Sequence, residues 1–347
     1  MTQTTEKAGF KPKNIVRRLL SSLPERSRIV LEARFGLGQD PERVTLESIG
    51  KRYDITRERV RQIENHALNS LKKSPAFAEA HAAFEELEQV IDSLGGIVCE
   101  DDLLNFMSKD KSMQNYIYFL LVLGDPFKYR KEDDEAERCW YVDHDLAEKV
   151  QSALQRLYKG LSDEELIPEG EMLNRFLKEL ENINNKYRNE EVLKRWLSIS
   201  KSIGKNPLGE WGHAASPNVK TKGVRDYAYL AVKKHGSPLH FREVAQLIEK
   251  MFNRKAHIAT THNELIKDNR FVLVGRGMYA LKEWGYTSGV VRDVIREVLR
   301  DKGALTKDEI IEKVLKERHV KPGTIVVNLQ NQKYFKKNKE GKFSLVK

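Results

Sequence analysis

TLESIGKRYDITRERVRQIENHALNSL, residues 45 to 71, decides the fold around it, because residue order, periodicity and charge converge there on one chemistry. Thr45 can accept a hydrogen bond from an early unpaired backbone N–H, which starts a helix running through Leu46, Ile49 and Gly50 to about Tyr53. Asp54 and Ile55 make a turn and Thr56 caps a second helix. In that helix Val60, Ile63, Ala67 and Leu71 recur at three- and four-residue steps, so they share one buried face. Gly50 lacks a Cβ where the two helices must come close, as a helix-turn-helix demands.

Arg57, Glu58, Arg61, Gln62 and Asn65 take the other faces. An arginine fork fits guanine O6 and N7, glutamate accepts from cytosine N4, and glutamine bridges adenine N6 and N7. A helix of this width enters the major groove. A merely solvated helix would use the same Arg/Glu alternation for salt pairs, so spacing alone leaves both readings open.

The longer run Leu23 to Leu71, LPERSRIVLEARFGL followed by TLESIGKRYDITRERVRQIENHAL, resembles region 4 of a primary-type sigma-70-family sigma factor. The resemblance implies a domain that reads the promoter −35 element and rests on the flap of the RNA polymerase β subunit. It implies that Arg57, Glu58 and Gln62 face bases and that Arg59 and Arg61 lean toward phosphates. Arg34 to Leu37 would support the reader, and Lys72 and Lys73, which close the segment, are further phosphate candidates.

The net charge of +10 conceals a pattern. Residues 1–75 carry 16 basic against 9 acidic side chains, residues 76–212 carry 17 against 28, and residues 213–347 carry 28 against 14. Basic ends suit a polyanion, whose condensed counterions lysine and arginine displace, whereas the acidic middle suits a protein partner or is simply solvated. Cys99 and Cys139 form no metal-spaced pair and read as reduced, buried thiols of a cytoplasmic protein. The longest apolar run, near Ile117 to Leu123, is too short to span a bilayer, so no membrane partner is expected.

Residues 1–14 read as a flexible tail and 15–75 as the helix-turn-helix domain. Beyond Pro75 a phrase recurs: SLGGIVCEDDLL at 93–104, KHGSPLHFREVA at 234–245 and DKGALTKDEII at 301–311. Each is a glycine turn, a short extended piece and a capped helix, followed by another helix and a two-stranded tail with Gly275-Arg276-Gly277 or Lys339-Glu340-Gly341 as the turn. That order is a winged helix. The expected fold class is mainly α: a helix-turn-helix domain followed by three or four small winged helices with short β-hairpins. The modules would be 76–144, 145–213 as a degenerate copy lacking the glycine phrase, 224–286, and a basic 287–347, with 214–223 as a linker. Residues 225–286 resemble the HARE-HTH domain, a winged helix of the RNA polymerase delta subunit and of several chromatin and restriction proteins.

In the 224–286 module a helix over about 256–267 should turn Ile258, Leu265 and Ile266 inward and leave His257, Thr261, Asn263 and Lys267 exposed as candidate DNA contacts. In the last module Thr324, Asn328, Gln332 and Lys333 surround a similar helix. Lys336, Lys337, Lys339 and Lys342 load its wing, adding affinity for the backbone without base specificity. Trp140, Trp196, Trp211 and Trp284 are expected in cores. No HExxH, Cys/His metal spacing, phosphate loop or nucleophile elbow occurs, so no catalysis, cofactor, metal or small-molecule substrate is expected. The expected function is bacterial transcription initiation, as a sigma-like or accessory regulator binding double-stranded promoter DNA and core RNA polymerase. The alternative is a DNA-targeting or scaffolding subunit of a restriction, repair or defence system that does not bind polymerase.

Overall fold

The computed structural model describes residues 9–286 and 289–346; most of the expected tail, Thr287, Ser288 and Lys347 lie outside them. The chain divides into two units, one running to Gly204 with Trp211–Ala214, the other comprising Lys205–Glu210 and Ala215 onward.

The first unit begins earlier than the expected tail allows, because Pro12, with its preset φ, sits at the first turn of α1, Pro12–Ser21. Helix α2, Glu25–Phe35, stops at Gly36, which adopts a left-handed conformation at φ 63°. Helices α3, Leu46–Arg52, and α4, Arg57–Lys72, form the helix-turn-helix. After α5, Pro75–Glu79, and α6, His81–Ser93, come β1, Ile97–Cys99, α7, Glu100–Met107, and α8, Lys111–Leu123. Strands β2, Lys128–Arg130, and β3, Cys139–Tyr141, then close a winged-helix-like order whose antiparallel sheet runs β1-β3-β2.

The apolar core does not pause at residue 75. Val16, Leu19, Leu31, Phe35 and Leu71 pack in one cluster with Phe84, Leu87, Ile91, Phe119 and Leu120, and Phe35 meets Phe119 edge-on at 5.1 Å. The helix-turn-helix keeps only a small nucleus of its own, Val30, Ile49 and Val60. Residues 12–141 therefore fold around shared apolar surface, and burial at about 25 cal/mol per Å² dominates what holds them together.

Residues 144–213 repeat the order despite lacking the glycine phrase. Helices α9, His144–Lys159, α10, Glu169–Glu179, and α11, Glu190–Leu197, precede strands β4, Ile203–Lys205, and β5, Trp211–His213. Ile167 bridges Trp211 where the short first strand would lie, and Pro168 replaces the usual cap of the following helix. Trp140, Trp196 and Trp211 are buried, while Trp284 is half-buried. Cys99 and Cys139 are buried free thiols, opposite each other across β1 and β3 with sulfurs 4.0 Å apart.

In the second unit, residues 215–223 of the expected linker do not run free. Asn218 accepts from Arg270 at 2.9 Å, and Arg270 also reaches Asp226 and Asp268. Helix α12, Val224–His235, is followed by β6, Leu239–His240, α13, Phe241–Phe252, α14, Ile258–Lys267, β7, Phe271–Leu273, and β8, Met278–Leu281, with sheet order β6-β8-β7. The last module has α15, Val291–Lys302, α16, Lys307–Glu317, α17, Pro322–Leu329, and the hairpin β9, Phe335–Lys337, with β10, Phe343–Leu345.

Helix α14 corrects the sequence reading of its faces. Thr261, expected outside as a DNA contact, is fully buried with its hydroxyl donating to His257 O at 3.0 Å, and Leu265 is buried beside it. Ile258 and Ile266, expected inside, are 46% and 62% exposed. A threonine accepts burial when its hydroxyl bonds the carbonyl one turn back, leaving its methyl to pack.

Candidate nucleic-acid interface

The helix-turn-helix is built by local chemistry. Thr45 Oγ1 accepts from Ser48 N at 3.2 Å and Thr56 Oγ1 from Arg59 N at 3.1 Å, so each helix starts on its own cap. Asp54 takes the left-handed conformation at φ 52° that the turn needs. A Cβ on Gly50 would stand 2.6 Å from Ile55 O, so only glycine lets the turn close on α3. From the preceding helix pair, Arg34 donates to Val44 O and approaches Glu64 of α4 at 3.5 Å, fixing the reader against α2. Burial raises the Glu64 carboxyl, and Arg34 opposes that rise.

At 3.6 residues per turn, Arg57, Glu58, Arg61, Gln62 and Asn65 fall on one side of α4, opposite Val60, Ala67 and Leu71. All five are exposed while the other three are buried. Arg61 grips Glu58 in a fork at 2.7 and 2.9 Å, and Arg59 donates to Gln62 at 3.1 Å. The Arg61 hydrogen bond holds the Glu58 carboxyl below the ordinary range, so at neutral pH it is ionised and accepts only. Arg57 makes no hydrogen bond or ion pair among the described residues. These exposed pairs cost little to open. An open hollow of about 590 Å³ lies at the corner, where Lys51, Arg57 and Arg59 are joined by Glu47 and Asp54.

The remaining candidates are spread over separate modules. Lys72 is drawn aside to Asp125 at 2.5 Å, while Lys73 is exposed. Asn263 and Lys267 are exposed on α14. Lys333, Lys336, Lys337 and Lys339 are exposed at the last hairpin, and Lys342 is half-buried there with its N–H on Asn338. Sequence reading passed over Arg254 and Lys255, exposed just before α14, and Lys321, exposed just before α17. Their position ahead of a helix N-terminus was the available signal. Among the described residues no cluster of His, Cys, Asp or Glu could hold a metal ion, and no helix is long and apolar enough to cross a membrane.

Residues 19–73 match the model of sigma-70, region 4. Within this stretch the chain is 49% identical over 59 residues to the RNA polymerase sigma factor RpoD of Helicobacter pylori, which covers 17% of this chain and 9% of that protein. It is 46% identical over 55 residues to the RNA polymerase principal sigma factor HrdD of Streptomyces viridifaciens, 16% of each. It is 43% identical over 58 residues to RpoD of Neisseria gonorrhoeae, covering 17% of this chain and 9% of that relative. The chain thus spans only a small part of the length of these relatives. The region 4 match contains α3, the Gly50 turn and α4 entire, and it ends at Lys73, inside the shared core.

Proposed function

We propose that the chain is a bacterial transcription-initiation factor, sigma-like or an accessory regulator, that binds −35-type promoter DNA through α4 and associates with RNA polymerase. One observation carries the reading: an exposed Arg57, Glu58, Gln62 face stands on a helix-turn-helix held rigid by Gly50, inside the segment that matches region 4. Arg57, with no partner to give up, takes the base-reading role first, and Glu58 and Gln62 follow when Arg61 and Arg59 swing to phosphates. The apolar side of α1, α2 and α4 is already covered by residues 76–127, so a polymerase contact, at the β flap by the resemblance, falls to the charged faces left open. The 224–286 module, HARE-HTH-like in sequence, and the basic last module add contacts through linked weak sites.

The test is co-purification of the tagged chain with core RNA polymerase, then footprinting of the complex on promoter DNA. Polymerase retained together with protection around −35 supports the reading. DNA binding with no polymerase retained overturns its initiation half.

A further inference from the structure

The last two modules meet at a seam that sequence periodicity does not announce. His319, in the connection between α16 and α17, donates its backbone N–H to Val274 O at 2.8 Å, and a parallel β-bridge joins it to Gly275 at the turn of the β7–β8 wing. Next to it Arg318, almost fully buried, donates to Leu273 O at 2.6 Å and to Gly289 O at 2.9 Å. A Cβ at Gly275 would fall 2.5 Å from His319 O, so the glycine is what lets the wing sit flush on the neighbouring module. A wing and the start of the next module's third helix are thereby held side by side.

Between them lies a cleft of about 650 Å³. Its lining includes Arg276, Arg318, His319, Lys321 and Thr324, with buried Val274 and exposed Val290, and among the described residues it contains no carboxylate. Arg276 and Lys321 are exposed, one at the wing tip and one at the N-terminal end of α17, and neither side chain has a hydrogen-bond or ion-pair partner among the described residues. Two exposed cations from different modules, beside a threonine hydroxyl and paired with none of the nearby carboxylates Asp293, Glu297 and Glu317, whose charge acts on Arg318 instead, make a surface for phosphate charge. We infer that this seam is a composite binding site for the backbone of duplex DNA, with Arg276 and Lys321 each neutralising a phosphate and the Gly275–His319 bridge fixing their spacing. The two modules then engage one duplex as a single body. This contact is independent of sequence and separate from the reading face of α4.

The test uses the full chain and a labelled duplex lacking any −35-like element, with affinity measured against salt. Arg276→Ala and Lys321→Ala should each reduce the slope of log K against log salt by about 0.9, the value of one lost phosphate contact, and weaken binding alike on every duplex. Gly275→Val should reproduce the loss of both, because it parts the seam while leaving the cations in place. The two alanine variants sit on exposed side chains, so they report even if the valine variant misfolds. Unchanged slopes in both alanine variants, or tighter binding of single-stranded RNA than of duplex, would overturn the inference. Repeating the series with Arg57→Ala separates the two readings: loss of sequence preference belongs to α4, and loss of salt slope belongs to the seam.

Discussion

The Arg43 guanidinium lies 3.8 Å from the centre of the Tyr118 ring, and its Nε donates to Asn115 Oδ1 at 2.8 Å. The loop before the reader is thus clamped to α8. Asn115, itself fully buried, also donates to Gly36 O and Pro41 O, and Tyr116 donates to Leu37 O at 2.6 Å, so the connection between α2 and α3 is held from α8 at Gly36, Leu37, Pro41 and Arg43. Burial lowers the Arg43 pKa, against opposing pulls from Tyr118 and Glu100, yet the group stays a cation.

Arg43→Ala should therefore destabilise the first unit by about 2–4 kcal/mol, from a desolvated cation–π contact and a charged hydrogen bond lost together. Thermal melting of the full chain should show the transition of that unit moving down while the other stays put. An unmoved melting curve would mean the clamp is a contact without consequence.

Arg57→Ala is expected to leave stability within about 0.5 kcal/mol, since the side chain is exposed and makes no hydrogen bond or ion pair among the described residues. It should cost about 1–3 kcal/mol of discrimination at one base pair, measured by competition between duplexes that differ at single positions. An unaltered preference profile would remove Arg57 from the base-reading role.

Gly50→Ala forces a Cβ to within 2.6 Å of a backbone carbonyl that has no flexible side chain to yield. The turn must open, at about 1–3 kcal/mol, and α4 should tilt off its axis. Promoter affinity should fall more than the melting temperature does, because a reading helix tolerates little misplacement.

How much of this was legible in the sequence depends on the range of the interactions. The caps at Thr45 and Thr56, the glycine at 50 and the buried row Val60, Ala67, Leu71 are set within a few residues, so reading the chain in order recovered them. The fourth helix-hairpin repeat was faint, because Ile167 bridging Trp211 replaces the glycine phrase with a contact made 44 positions away. On α14 the eye follows Ile258 and Ile266, whereas the buried face is Thr261 and Leu265, and only the His257 carbonyl explains why a hydroxyl belongs inside. Arg43 on Tyr118 and Gly275 against His319 pair residues with no periodic relation, and folding alone brings them together.

Thr261→Ala follows from that correction. It should leave DNA affinity untouched while lowering stability by about 1 kcal/mol, the net worth of a hydrogen bond with a small loss of packing. A change in affinity at constant stability would restore Thr261 to the interface.

The second unit should also be acid-sensitive. Burial would raise the Asp268 carboxyl, but hydrogen bonds and charge from Arg270 hold it below the ordinary range. A depressed folded pKa stabilises fully above the unfolded value, near about 3.9, and that stability drains away as pH falls from there through the folded value. Asp268→Asn should flatten the pH dependence of unfolding of this unit in that acid window and leave the curve above pH of about 5 parallel to the parent. Equal acid sensitivity in the variant would assign the effect to other carboxylates.

The region 4 match closes at Lys73, yet Leu71 is packed among side chains as far along as Phe119 and Leu123. The stretch that resembles its relatives and the stretch that can stand alone are thus different lengths of chain. A reader cut at 73 and transplanted into another protein would arrive with the floor of its helices bare, so this module is not portable in the way its sequence suggests. Any chimaera that exchanges DNA specificity has to carry its winged neighbour along, or swap side chains on α4 and leave the scaffold in place.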